Sequence, residues 1–264
     1  MSVPLGATLA ARRDDGRRLL VVYLMAGSTP GWLETAAAAV AAGADAVEVG
    51  VAFSDPVLDG PVIQAAASRA LAAGATLPAV ASELRGADLG VPVVAMTYVN
   101  VALAHGYARS AGHLAAGGVG GVILADLPLE ELGPWRDAAR PEGIETVLLA
   151  APSTSPTRLA RIGQETEGFC YAVGRMATTG EQAAMDPRGP ALVRALRDVT
   201  ELPVLLGVGV TTPAHARAAC AVADGVVVGS AVVRRMLDGE PPEAVGAFVA
   251  SLRDAVDAPA ALAG

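Results

Sequence analysis

Short, wholly apolar runs alternate along the chain with longer stretches in which Ala, Leu and Val recur every three or four residues. The first kind reads as buried strand, the second as amphipathic helix. Strands are expected at residues 19–26, 46–53, 92–99, 121–127, 145–151, 169–175, 203–210 and 225–228. Helices are expected at 5–13, ahead of the first strand, and then at 32–42, 62–84 with a break near Gly74, 102–116, 130–139, 156–164 and 187–198. Three more follow, from Pro213, from Ser230 and over 243–256. Ser155-Pro156 and Thr212-Pro213 are N-cap and first-turn signals. Strand runs that are apolar throughout suit a parallel sheet covered by helices. Eight strand–helix alternations without a Pro- or Ser-rich linker predict one α/β domain over 1–264, a (β/α)8 TIM barrel. Residues 1–18 would form a cap before the barrel and 259–264 a frayed tail.

Composition narrows the class. The length, 264 residues, is close to the ~250 typical of such a barrel. A hydrophobic fraction of 53% supports a large core. The formal net charge of −8 argues against nucleic acid or an anionic membrane as partner. Any bound phosphate would then need local donors such as backbone N–H groups. Cys170 and Cys220 show no metal or redox spacing and read as small buried hydrophobes in a reducing compartment. His105, His113 and His215 show no metal-ligand spacing either. Arg109, Arg158, Arg161, Arg194 and Arg197 fall on helices as solvated faces. No basic-then-apolar leader is visible, and no run approaches the ~18 apolar residues of a membrane span. A cytoplasmic location is the expectation.

The candidate chemistry lies where the second strand runs into a loop, Val47-Glu48-Val49-Gly50-Val51-Ala52-Phe53-Ser54-Asp55-Pro56-Val57-Leu58-Asp59-Gly60-Pro61. A strand period of two sends Val47, Val49, Val51 and Phe53 to one side and Glu48, Gly50 and Ala52 to the other. One carboxylate thus sits on the small-residue face of a buried strand, which costs several kcal/mol unless it is paired or protonated. The loop adds Asp55 and Asp59 among turn-forming prolines and glycine. A strand carboxylate facing a loop carboxylate is an acid/base pair in outline. A salt-bridged core Glu beside a solvated Asp-Pro turn is the structural alternative.

Gly207-Val208-Gly209 and Val228-Gly229-Ser230 follow the seventh and eighth strands, and the second turn opens into a helix. Barrels of this architecture commonly bind phosphate there, through glycine-exposed N–H groups and a helix N-terminus. After the sixth strand, residues 176–186 exceed the roughly 2–6 residues usual for such a loop and suggest a lid.

Taken in order, Glu48-x-Gly50, Phe53-Ser54-Asp55-Pro56, Asp59-Gly60-Pro61 and Ile63-Gln64 resemble the tryptophan synthase α-subunit family. Tyr98-Val99-Asn100, Ala125-Asp126-Leu127-Pro128 with Glu130-Glu131, Gly207-Val208-Gly209 and Gly229-Ser230-Ala231 extend the resemblance over almost the whole chain. It implies a retro-aldol lyase that splits indole-3-glycerol phosphate into indole and glyceraldehyde 3-phosphate. It further implies Glu48 as general acid/base at indole C3 and Asp59 as the group that meets the indole N–H. Phosphate would be held around Gly180, Gly209, Gly229 and Ser230. The indole pocket and lid would use Tyr23, Tyr98, Ile123, Tyr171, Thr179 and Val208. No cofactor or metal is implied. The implied partner is a tryptophan synthase β-subunit, which carries pyridoxal phosphate, in an α2β2 assembly.

The chain departs from the family pattern in its loops. Gly27-Ser28-Thr29-Pro30 replaces a shorter Gly-Asp-Pro, Ala52 a proline, Leu58 an alanine, Ala177 a glycine, Thr178 a valine and Val208 a phenylalanine. These changes touch the lid and partner-facing loops rather than the carboxylate pair. They leave two alternatives to an α-subunit: a stand-alone lyase that releases free indole, and a regulatory subunit without activity.

Overall fold

The computed structural model describes residues 3–174, 188–207 and 209–258. Its strands are β1 (Leu19–Met25), β2 (Ala46–Gly50), β3 (Val93–Thr97), β4 (Gly121–Leu124), β5 (Glu145–Thr146), β6 (Leu148–Ala150), β7 (Cys170–Val173), β8 (Val204–Gly207) and β9 (Gly225–Val228). Every pairing is parallel, in the order β5-β4-β3-β2-β1-β9-β8-β7-β6. The two ends of that order, β5 and β6, are halves of the expected fifth strand, split at Val147. One half pairs with β4 and the other with β7, so the sheet curls into a nearly closed barrel.

Two expected helices are divided, each by a glycine with positive φ. Gly74 (φ +85°) separates Pro61–Ala72 from Leu77–Leu84, where a break was anticipated. Gly106 (φ +79°) separates Val99–His105 from Tyr107–Ala116, where one continuous helix was expected. A left-handed backbone angle ends an α-helix, and glycine adopts it without a Cβ clash. The second strand also stops sooner than expected. After Gly50 the chain leaves the ladder, although the Val51 N–H still donates to the Met96 carbonyl at 2.9 Å. Phe53 turns out of the strand and lies 5.1 Å from the Tyr98 ring. Ser155 and Thr212 cap their helices as read, accepting from the N–H groups of Arg158 and His215.

Strand alternation sorts the apolar side chains into two cores. Val47, Val49 and their counterparts meet the helices outside the sheet. Leu19, Val21, Ala46, Val94, Ile123, Val147, Phe169, Leu205 and Val227 fill the barrel. Leu5 and Leu9 of the helix Leu5–Asp14 join that inner core and plug its N-terminal end. Full burial of each leucine contributes roughly 1.5–3 kcal/mol.

The same end carries a buried ion cluster around Asp45, which is 0% exposed. One carboxylate oxygen accepts from Arg12 Nη1 at 2.9 Å and Arg17 Nε at 2.6 Å. The other accepts from the Leu20 N–H at 2.8 Å and Arg253 Nη1 at 2.9 Å. The N-terminal helix, β1 and the C-terminal helix Pro242–Asp257 are thereby tied to the start of β2.

Candidate active site

At the C-terminal end of the barrel the inward side chains change from aliphatic to polar and aromatic. Ala46 belongs to the inner core, and two residues on along the same face of β2 comes Glu48. Its neighbour in register on β1 is Tyr23. Glu48 is 1% exposed and makes no ion pair among the described residues. Its Oε2 is buried with no hydrogen-bond partner among them. The salt-bridged core Glu is therefore not what the fold builds. Burial pushes the Glu48 carboxyl up to about 8, and among the described residues no ion pair or hydrogen bond to Oε2 offsets it.

The loop after β2 is fixed from several sides. The Leu58 N–H donates to Tyr98 Oη at 3.1 Å. Asp59 donates its N–H to the Pro56 carbonyl at 3.1 Å, and its own carbonyl accepts from Gln64 Nε2 at 2.8 Å. Gln64 therefore anchors the loop to the helix that Gly60-Pro61 opens. The two loop aspartates separate clearly. Asp55 is exposed and takes a hydrogen bond from the adjacent Ser54 hydroxyl at 2.6 Å. Asp59 is partly buried and faces a cavity that Glu48 also lines. Burial raises the Asp59 carboxyl, while a hydrogen bond from the Tyr98 hydroxyl pulls it back down. Asp59 is thus less solvated than Asp55. Asp126 acts one step further out, its Oδ1 accepting from the Val99 N–H at 2.7 Å at the start of the helix behind Tyr98.

The shared cavity measures about 170 Å³, several times the ~30 Å³ a liquid water occupies. Of the residues singled out in the sequence, Tyr23, Glu48, Asp59, Tyr171, Gly209, Gly229 and Ser230 line it. Tyr98 stands behind the loop, bonded to it as described. Ile123 is fully buried in the inner core, beside Met96 in register, rather than on the cavity surface. Ile63, Met96, Gly207 and Val227 line the cavity and were not singled out as lining residues. Barrel phase could have found Met96 and Val227, which share their strands' inward face with Val94 and Gly225. The expected lid at 176–186, including Thr179 and Gly180, and Val208 of the seventh turn lie outside the described residues.

The glycines divide by purpose. A Cβ on Gly50 would come within 2.7 Å of Tyr23 Cζ, and one on Gly207 within 2.6 Å of Tyr171 Cζ. These two make room for tyrosines inside the barrel. Gly209 instead holds φ +50° with open space around its Cβ position. Gly229 leads directly into the helix Ser230–Leu237, whose first turn borders the cavity. The first N–H groups of a helix lack intrahelical acceptors and carry partial positive charge, which suits an anion. The cavity thus brings together a buried carboxyl raised to about 8, a second carboxyl on the loop after β2, and the N–H donors of a helix start. Among the described residues no cluster of His, Cys, Asp and Glu could hold a metal ion.

The chain as a whole is similar to known proteins. A family model described as "Tryptophan synthase alpha chain" matches residues 9–256. The chain is similar to the tryptophan synthase alpha chain of Streptomyces coelicolor, at 44% identity over 92% of this chain and 90% of the relative. It is 38% identical to that of Geobacter sulfurreducens, over 96% and 98% respectively. Among solved structures, Mycobacterium tuberculosis tryptophan synthase superposes with a TM-score of 0.88 at 33% identity, over 98% of this chain and 100% of that one. The alpha subunit from Legionella pneumophila gives 0.86 at 31% identity, over 96% and 98%. By fold and by these matches, the chain belongs to the tryptophan synthase alpha chain family.

Proposed function

We propose that Glu48 and Asp59 carry the reaction of this family in the present chain. That reaction cleaves indole-3-glycerol phosphate into indole and glyceraldehyde 3-phosphate. The enzyme is a lyase and acts as the α-subunit of tryptophan synthase in an α2β2 complex. It uses no cofactor of its own, since pyridoxal phosphate belongs to the β-subunit. Nothing in the fold or the comparisons favours a stand-alone lyase or an inactive regulatory subunit.

The observation that carries the residue assignment is the unpartnered, buried carboxyl of Glu48 in the cavity. Held neutral near pH 7, it can give its proton to indole C3, which converts the ring to its indolenine form. Asp59, at the cavity rim, accepts a hydrogen bond from the indole N–H and stabilises the positive charge that forms there. As the carbon–carbon bond breaks, its electrons return to the indole ring. The glyceryl hydroxyl on the departing carbon loses its proton to the Glu48 carboxylate and becomes the aldehyde. Glu48 ends protonated again, so the proton count closes within one turnover. Tyr23 and Tyr171 flank the ring, while Gly209, Gly229 and Ser230 receive the phosphate through backbone N–H groups and the Ser230 hydroxyl; Gly180, the fourth expected phosphate residue, lies outside the described residues.

The partner reading draws support from Val57 and Leu58, which are 81% and 62% exposed at the tip of the loop that carries Asp59. A β-subunit covering them would act directly on that loop. We also read the chain as one barrel domain, with residues 1–18 as its cap. A cytoplasmic setting suits two free, buried thiols, Cys170 and Cys220, and among the described residues no helix is long and apolar enough to cross a membrane.

The test is to follow indole release from indole-3-glycerol phosphate by the chain alone and then with added tryptophan synthase β-subunit. Slow release that rises strongly with the partner is expected. Release by neither mixture would end the proposal.

A further inference from the structure

Glu48 needs a donor once it has given up its proton. Inside the barrel, charged carboxylates are costly unless hydrogen bonds replace the lost water. The residue next to it in register is Tyr23, and both side chains point into the barrel from neighbouring parallel strands. The Tyr23 ring is wedged between two glycines. Its base lies against Gly229, where an added Cβ would be 3.3 Å from Cδ1. Its hydroxyl end crosses to β2 and occupies the space that a side chain at Gly50 would take. Gly50 is two residues beyond Glu48 on the same face, so the phenol lies over the face of β2 that carries the carboxyl, whose Oε2 has no partner among the described residues in the resting structure. Tyr23, Glu48 and Asp59 line one cavity.

The geometry points to Tyr23 as the positioning residue of Glu48: its hydroxyl donates a hydrogen bond to the carboxylate during turnover and holds it aimed at the substrate. No proton leaves the phenol in this role. The surroundings keep it a donor, since burial first, and then the charges of Asp59 and Glu48, raise the Tyr23 hydroxyl well above its usual range. The titratable groups acting on it are Glu48 on β2, Asp59 in the loop, Tyr171 on β7 and Tyr98 behind the loop. Tyr171 is also held protonated by burial and by Glu48. It borders the cavity from the far side, where Gly207 gives it room.

This inference rests on Glu48 being the acid/base group, so the experiment separates the two ideas. Tyr23→Phe and Glu48→Gln are compared with wild type in complex with the β-subunit, measuring kcat and KM for indole-3-glycerol phosphate across pH. The infrared carboxyl band that Glu48→Gln removes is also recorded in wild type and Tyr23→Phe. Tyr23→Phe should lower kcat by about ten-fold, the scale of one lost hydrogen bond to a charged group, with KM changed less than two-fold. Because the lost bond stabilised the charged form, the limb of the pH profile governed by Glu48 should move to higher pH. The carboxyl band should shift as well. If kcat, the pH limb and the band all stay where they are in wild type, or if only KM changes, the positioning role is overturned. If Glu48→Gln remains active while Tyr23→Phe still shifts the band, the acid/base assignment falls and the hydrogen bond stands.

Discussion

Asp45 and Glu48 are three residues apart, equally buried, and treated in opposite ways. Asp45 sits where β2 begins and receives three arginines and a backbone N–H. Glu48 sits inside the same strand and leaves Oε2 without any partner among the described residues. The desolvation cost is similar at both positions, and only at one is it offset by donors. The N-terminal end of the barrel thus uses a carboxylate to fasten two terminal helices. The other end leaves one unsatisfied, so that it stays neutral and can move a proton. An unpaired buried acid is a stability cost retained where chemistry uses it.

The sharpest way to break this contrast is to exchange the functional cost for stability. Glu48→Gln should reduce indole release by about a thousand-fold, within the range for removal of a general acid/base, while the melting temperature holds or rises. Asp45→Ala should do the reverse. Leaving Arg253 buried without its partner should cost about 3–5 kcal/mol in urea unfolding, with activity per folded molecule unchanged.

The pH dependence of stability sharpens the comparison further. The Glu48 carboxyl is raised from 4.5 to about 8 in the fold. Between those values the unfolded chain has lost a proton that the native state still holds, so stability falls as pH rises. The contribution is fully present below about 4.5 and gone above about 8. Subtracting the Glu48→Gln stability curve from that of wild type should isolate this slope, worth a few kcal/mol across the window. A flat difference would mean that Glu48 is partnered after all. The smallest effect is expected for Arg17→Ala. Its side chain is 38% exposed and Asp45 keeps Arg12 and Arg253, so a loss of about 1 kcal/mol in the same unfolding assay is predicted.

Much of this was legible in the chain itself, because its strongest signals are local. Period-two placement located Glu48 on the inward face, and Ser155 and Thr212 marked helix starts through their own side chains. Long-range features were not legible. Gly106 reads as an ordinary helical glycine until its φ is known. Gly207 lies in a turn read as phosphate-binding, yet its lack of a side chain makes room for Tyr171. The Asp45 cluster unites residues 12, 17, 45 and 253, a spacing no sequence period encodes. Asp55 and Asp59 looked alike in their turn, and only the packing of Tyr98 and Gln64 against the loop separates the exposed one from the one in the cavity.

The most direct measurement is the titration of Glu48 itself, followed by carbon NMR of its side-chain carboxyl in the intact protein and assigned by the signal that Glu48→Gln removes. A midpoint near 8 is expected from burial without a partner. A midpoint near 4.5, the value of a carboxyl open to water, or below it, as pairing with a cation would give, would contradict the account.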